Sequence, residues 1–394
     1  MARQVLTLNQ ISLKGLERLP RDCYEIASEF SHPDAILLRS HKLKSEDIAD
    51  SVLAIARAGA GVNNIPVAEC SARGIPVFNS PGANANAVKE LVAAGLLLGS
   101  RGIVEGIQYV DTLADMTDKV EMYKTLEAHK KEFKGSELVG KTLGVVGLGA
   151  IGSMVAEMAL TMGMDVVGYD PALSVEAAWR LSSQVRKADS LSALFARCDY
   201  ITLHLPVLDS TRGLVNHELL TAAKPGTCLL NFARQEIVDE DALVEALEAG
   251  KLRQYIADFP SPQLIGRPDV ILMPHIGAST DEAEDNCAIM AANQLKDFLE
   301  NGNIRNSVNF PQLVLERVTG CRLSVTNENV PKILGSVLSI LADENINVID
   351  MLNKSRDDIA YNLIDVEGHT PDEVLDKMRA LEGVINVRMI GDCA

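Results

Sequence analysis

The chain is poor in aromatic residues, with Phe, Trp and Tyr making 4% of its 394 residues and tryptophan occurring once. It has no C-x-x-C pair: Cys23, Cys70, Cys198, Cys228, Cys287, Cys321 and Cys393 are scattered. That spacing excludes a disulfide framework and a cysteine zinc site, and it reads as reduced thiols in a cytoplasmic chain with no metal. Long apolar runs are missing too. The best, Leu91 to Leu98, falls well short of the ~18 residues that a bilayer crossing takes, so no membrane partner is expected. The first residues mix charges and amides with apolar positions and lack the apolar core of a secretory signal. An excess of cations is also absent, because 37 Lys and Arg face 54 Asp and Glu for a net charge of −17. Repulsion from polyanions then excludes non-specific nucleic-acid binding, whereas small anions answer to local charge. Residues 1–101 hold 11 cationic and 10 acidic side chains, so the negative charge is carried beyond them.

What is present is alternation. Short apolar runs (35–38, 53–57, 77–79) trade places with helical patterns at 45–52, 66–73 and a long stretch at 87–113. Further runs at 143–147, 165–169, 200–203, 227–230, 254–257 and 270–273 repeat the pattern and predict a doubly wound α/β sheet. The segment 115–134 is dense in both charge signs and reads as a solvated helix or connector. A helix is expected over 281–299, followed by a linker through Asn301-Gly302-Asn303 and Pro311. Beyond it, strand 322–326, a helix with Ile333, Leu334, Val337, Leu338 and Leu341 on one face, strands 346–353 and 359–366, helix 371–381 and strand 384–390 give a βαββαβ order. This is a ferredoxin-like module.

Gly147-Leu148-Gly149-Ala150-Ile151-Gly152 follows an apolar strand and opens a helix. The first glycine allows the tight turn, the second a close backbone approach to a pyrophosphate, the third close helix–strand packing. Asp170 ends the next strand, where a carboxylate binds a ribose diol and repels the extra phosphate of NADP. NAD is the cofactor expected. Two later strand ends carry Asn231-Phe232-Ala233-Arg234 and Pro274-His275-Ile276-Gly277. A guanidinium that grips a carboxylate and an imidazole that exchanges a hydroxyl proton suit hydride transfer. On spacing alone, a structural histidine before a turn is the lesser alternative for His275, and a surface salt-bridge partner an equal one for Arg234.

The glycine loop, HLPVLDSTRGLVN at 204–216, NFARQEIVDEDAL at 231–243 and PHIGAST at 274–280 resemble the ordered signatures of the D-isomer-specific 2-hydroxyacid dehydrogenases. Arg39-Ser40, ARAGAGVNNIP at 56–66 and a C-terminal module similar to the ACT type resemble the members acting on a phosphorylated acid. The resemblance implies an NAD-binding Rossmann domain (93–279) inserted in a flavodoxin-like substrate domain (1–92 and 280–312), with an ACT-like regulatory domain at 319–394. It implies NAD-dependent oxidation of 3-phospho-D-glycerate to 3-phosphohydroxypyruvate, the first step of L-serine biosynthesis. His275 would be the acid/base and Arg234 the carboxylate binder. The cofactor would be held by Gly147, Gly149, Ala150, Ile151, Gly152, Asp170, Pro206, Phe232, Ala233, Asp258, Gly277 and Ala278. Arg39, Ser40, Arg57 and Lys89 would hold substrate. A homodimer or homotetramer, paired through the long 87–113 helix with Leu91, Leu96, Leu97 and Leu98 as apolar surface, would complete the assembly.

The pattern also departs from the resemblance. The loop Asp258-Phe259-Pro260-Ser261-Pro262-Gln263 carries no acidic residue before Asp269, so the glutamate that relatives set beside the acid/base histidine is missing. Gln235 stands where glycine is usual, and Asn63-Asn64 where an aspartate-containing turn is. In the C-terminal module Asn327, Asn329 and Asn347 occupy ligand-type places, which leaves serine as an effector or a purely oligomerising module both open. Two other functions stay open at this point: a dehydrogenase of another small 2-hydroxy acid, and a non-catalytic NAD-sensing binding protein.

Overall fold

The computed structural model describes residues 2–318 and 320–391, with Cys393 outside them. Two compact units divide the chain, one of residues 1–84 with 280–394 and one of 85–279.

The first unit opens with five parallel strands: β1 (Arg3–Leu8), β2 (Tyr24–Ala27), β3 (Ala35–Leu38), β4 (Ala54–Arg57) and β5 (Val77–Phe78), in the order β2-β1-β3-β4-β5. β3 is the short run Ala-Ile-Leu-Leu, buried throughout, because both faces of this sheet are covered. Leu37 joins the core shared with the long helix Asp281–Asn301, and Ile36 and Leu38 join the core on the opposite face. That helix begins under a Thr280 cap, Oγ1 accepting from the Ala283 N–H at 3.1 Å, and ends at Gly302 in the left-handed conformation (φ 73°).

The second unit holds β6 (Thr142–Val146), β7 (Asp165–Tyr169), β8 (Arg186–Lys187), β9 (Tyr200–Leu203), β10 (Thr227–Asn231), β11 (Leu252–Ala257) and β12 (Val270–Leu272). All pair in parallel, in the order β12-β11-β10-β9-β6-β7-β8. Residues alternate between two helix-covered faces: Leu143, Val145, Cys228 and Leu230 pack on one, Val146, Ile201, Leu203 and Leu229 on the other. β8 is an added strand. It is two exposed cationic residues, without the apolar run by which the other six announce themselves.

The long helix expected over 87–113 is two helices, Ala85–Leu98 and Ile103–Asp111. The break is at Gly99-Ser100-Arg101-Gly102. A Cβ on Gly99 would lie 2.8 Å from Ile256 Cδ1, and Ser100 Oγ donates to the Leu97 carbonyl at 2.7 Å. Leu96 is fully buried in its own unit and only Leu97, 43% exposed, is open among the four leucines proposed as a pairing surface. The charged connector forms the helix Lys119–His129, with no buried residue.

A third sheet is antiparallel: β13 (Cys321–Glu328), β14 (Val348–Arg356), β15 (Ile359–Val366) and β16 (Val384–Ile390), ordered β14-β15-β13-β16. Helices Ile333–Asp343 and Asp372–Arg379 cover one face, over Leu323, Val325, Ile364 and Val366. The other face is also buried. Ile359, Tyr361, Leu363 and Ile390 share a core with Phe298, Ile304, Phe310 and Leu313, so residues 302–313 are packed chain rather than a free linker. Tyr361 Oη donates to the Gly302 carbonyl at 2.8 Å.

Candidate active site

In the second unit the strand order reverses between β6 and β9, and at such a switch point the carboxyl ends of the strands leave a crevice. β6, β7, β9, β10, β11 and β12 deliver Gly147, Asp170, Pro206, Arg234, Asp258 and His275 to that one edge.

The glycine loop is built for close backbone approach. Gly147 has φ 90°, and a Cβ there would lie 2.5 Å from the His204 carbonyl oxygen. A Cβ on Gly152 would meet the Gly147 carbonyl at 1.9 Å. A Cβ on Gly149 would meet nothing within 4 Å, so the space over the start of the helix Ala150–Thr161 is open to a ligand. That opening above unpaired helix N–H groups suits an anionic pyrophosphate. Ala150 is exposed and Ile151 half-buried beside it. Asp170 accepts from the Leu148 N–H at 2.8 Å and from the Ala172 N–H at 2.9 Å, tying the carboxylate to the loop it serves. Pro206 is exposed, its carbonyl accepting from Thr211 Oγ1 at 2.6 Å.

Beyond β10, Asn231 organises the turn. Its Oδ1 accepts from the Ala233 N–H at 3.1 Å, while its Nδ2 donates to the Arg234 carbonyl at 2.9 Å and to Tyr255 Oη at 3.2 Å. Burial pushes the Tyr255 hydroxyl above its ordinary range. Phe232 is buried under Gly95. Arg234 is half-buried and donates from Nη1 to the Ala233 carbonyl at 2.7 Å.

Asp258 is buried, and both its oxygens accept from backbone: the Ile276 N–H at 2.8 Å and the Gly277 N–H at 2.6 Å. A Cβ on Gly277 would lie 3.0 Å from Asp258 Oδ2, tighter than an ordinary contact. Ala278 is half-buried. His275, exposed, sits immediately before the two gripped residues with φ 59°, a left-handed conformation uncommon outside glycine. Lys89, on the helix Ala85–Leu98 of the same unit, donates to Asn86 Oδ1 at 2.5 Å. A cavity of about 310 Å³ lined by Arg101, Lys134 and Arg253 opens at the amino ends of these strands, away from this edge.

In the first unit, Arg39 and Ser40 follow β3 and Arg57 ends β4. Arg57 Nε donates to the Arg39 carbonyl at 2.8 Å and Nη1 to that of Gly61. Asn64 donates to the carbonyls of Arg39 (3.2 Å) and His41 (2.6 Å), and Asn9 Oδ1 accepts from the N–H groups of Ser40 and His41. The two arginines are thus held in one loop cluster. Asn9 lies in no motif, and Asn64 and Asn231 lie in motifs that gave them no role; each works by bonding backbone that is distant or turned. In the third sheet Asn327 is buried, accepting from Asn362 Nδ2 at 2.8 Å, whereas Asn329 and Asn347 are exposed. Asn327 pairs with Ala360 and Val348 with Val366, so Asn347 lies about 20 Å along the sheet from the other two.

Residues 107–277 match the family described as D-isomer specific 2-hydroxyacid dehydrogenase, NAD binding domain. The chain is 34% identical to a D-3-phosphoglycerate dehydrogenase of Haemophilus influenzae over 361 residues, 87% of this chain and 82% of that one. It is 32% identical to one of Methanocaldococcus jannaschii, over 83% of this chain and 61% of that one. Among solved structures it resembles an NAD+-bound 3-phosphoglycerate dehydrogenase of Entamoeba histolytica, with TM-score 0.62 and 28% identity over 79% of this chain and all of that one. The chain belongs to the D-isomer-specific 2-hydroxyacid dehydrogenases and is an NAD-dependent oxidoreductase. Among the described residues no helix is long and apolar enough to cross a membrane, and no side-chain group gathers as a metal site.

Proposed function

We propose that this oxidoreductase converts 3-phospho-D-glycerate to 3-phosphohydroxypyruvate, the first step of L-serine biosynthesis. The observation that carries the substrate is the pair Arg39 and Arg57 at adjacent strand ends, the Arg57 guanidinium donating to the main-chain carbonyl of Arg39. A phosphate takes such a fork bidentately. Similarity to D-3-phosphoglycerate dehydrogenases over most of the chain supports the same substrate.

The open start of the helix at Gly149 and Ala150 would hold the cofactor pyrophosphate, Asp170 its ribose diol, and Pro206, Phe232, Ala233, Asp258, Gly277 and Ala278 line the remaining crevice. NAD held there would supply the hydride acceptor for C2 of the acid. Arg234 grips the carboxylate and steadies the carbonyl oxygen as it forms. His275 removes the hydroxyl proton as hydride leaves, and returns it in the reverse direction. Ser40 and Lys89 are further substrate contacts.

The C-terminal module is an ACT-like regulatory module, for which an amino acid such as serine is the effector. Asn347 stands far along the sheet from Asn327 and Asn329, so all three meet one ligand only where two modules lie side by side. A homodimer or homotetramer in the cytoplasm fits this, and Ile107, Val110, Val120 and Tyr123, each more than half exposed, supply an apolar face for a second copy.

The test is a substrate panel scored by NADH formation. A phosphate contact of about 1.5–3 kcal/mol predicts kcat/KM for 3-phosphoglycerate roughly 10–150-fold above that for glycerate or lactate. Equal values across the panel would remove the phosphate site.

A further inference from the structure

A general acid/base must keep one ring nitrogen aimed at the substrate. His275 is exposed, lies outside any helix or strand, and has a left-handed backbone, so its ring needs a support. Three carboxylates on the 258–269 loop, or bonded to it, are committed elsewhere. Asp258 gives both oxygens to the Ile276 and Gly277 N–H groups. Asp269 is held bidentately by Arg267, at 3.0 Å to each oxygen. Glu240 accepts from Ser261 Oγ at 2.7 Å and from Gln235 Nε2 at 3.4 Å. Within its own unit, among the described residues, the His275 ring packs instead against Phe259, with centroids 4.9 Å apart and planes tilted by 57°.

We propose that Phe259 is the positioning residue for His275, holding the imidazole by aromatic packing in place of a carboxylate. The inference rests on His275 being the proton carrier. Asp258 and Phe259 are consecutive at the end of β11. One strand end therefore fixes both halves of the histidine: the Asp258 carboxylate locks the backbone just after it, and the Phe259 ring blocks rotation of its side chain. A tilted ring at this distance is a favoured aromatic arrangement. Unlike a carboxylate, it restricts the ring without accepting a proton from either nitrogen, so both stay available to solvent and substrate.

The experiment uses the full-length protein as Phe259→Ala, Phe259→Leu and Phe259→Tyr. Loosening the ring is expected to lower kcat about tenfold in the Ala and Leu variants, with KM for NAD and for the acid held within about twofold, and Tyr is expected to recover most of the rate. Leu keeps apolar volume, so a poorly folding Ala variant does not leave the question open. A second readout needs no turnover. The imidazole C–H resonances of His275, assigned by their loss in His275→Gln, are expected to carry an aromatic ring-current displacement that survives in Tyr and vanishes in Leu. Unchanged kcat in Leu, a matching rise of KM for NAD, or a resonance unmoved by removing the ring would each overturn the proposal. His275→Asn separates the two levels. If it abolishes turnover while Phe259→Leu runs at full rate, only the positioning role fails; if it retains turnover, the acid/base assignment fails and the positioning role with it.

Discussion

Arg39 and Glu284 form an ion pair, Nη2 to Oε1 at 2.7 Å, across the two chain segments of the first unit. Glu284 lies in the first turn of the long helix Asp281–Asn301, so a carboxylate occupies the guanidinium assigned to the substrate's anionic end. The pair is 37% and 41% exposed, which keeps its net value at about 0–1 kcal/mol after solvent screening. Phosphoglycerate must displace it. Glu284→Gln is therefore expected to lower KM for the phosphorylated acid by up to about fivefold, with kcat unchanged and the gain fading in high salt. A raised KM would instead make Glu284 a support that aims Arg39.

We assign Asp170 two jobs that can be separated. Its charge opposes a 2′-phosphate, while its Oδ2 holds the Leu148 N–H at 2.8 Å. Asp170→Asn keeps an acceptor and removes the charge, so the NADP to NAD ratio of kcat/KM is expected to rise about tenfold with most NAD activity retained. Asp170→Ala loses both, and its NAD activity is expected to fall further. Wild-type rates equal with the two cofactors would contradict the assignment.

The parts of this site that short-range pattern can encode were readable from residues alone. The glycine loop is local geometry, and Arg234 and His275 close apolar runs whose length and spacing mark strand ends. The left-handed backbone at His275 was not readable, because it is imposed by Asp258 from 17 positions upstream in the sequence. Nor was the break at Gly99: the apolar run stops at Leu98 and resumes at Ile103 after only four residues, and it is the nearness of Ile256 and Cys228 that shows how crowded a side chain would be there. The pairing of Arg39 with Glu284 joins segments far apart in the chain, which no local spacing reports. The C-terminal module was legible as βαββαβ from period alone, yet the burial of its second face depends on the partner surface around Phe298 and Phe310.

His204 makes the second unit sensitive to acid. The residue is half-buried, but its Nδ1 is sealed from water with no partner among the described residues, and Nε2 lies 2.9 Å from Thr202 Oγ1. Burial pushes its imidazole down to about 3. The unfolded chain takes up a proton near pH 6.5 that the folded chain refuses until about pH 3, so this residue's stabilising effect is complete above 6.5 and is lost as pH falls toward 3. Between pH 7 and 5 the loss is roughly 2 kcal/mol by that linkage. Urea unfolding at the two pH values is expected to show a drop smaller by about that amount in His204→Gln. An identical drop in both proteins would mean that His204 is solvated in the folded state.

Arg322 and Asp365 are 1% and 2% exposed and joined bidentately, at 2.6 and 2.7 Å. The remaining guanidinium donors reach the carbonyls of Asn301 (3.1 Å), Leu315 (2.9 Å) and Glu316 (3.0 Å), so the clamp ties β13 and β15 to the end of the long helix and to the chain that follows it. Removing one partner of a buried pair leaves an uncompensated charge, and Arg322→Ala or Asp365→Ala is expected to cost about 3–5 kcal/mol in urea unfolding. For an isolated pair, an apolar double replacement is often neutral. Here it is not expected to be. Arg322→Met with Asp365→Leu would leave three backbone carbonyls without their donor, at about 1–3 kcal/mol for each one that stays buried, so the double variant should remain at least about 2 kcal/mol below wild type. It should also be cleaved faster by protease within residues 302–318, where those carbonyls anchor the chain. Recovery of wild-type stability would show that water replaces the guanidinium freely, and that the apolar contacts of Tyr361, Phe298 and Phe310 hold the module without the clamp.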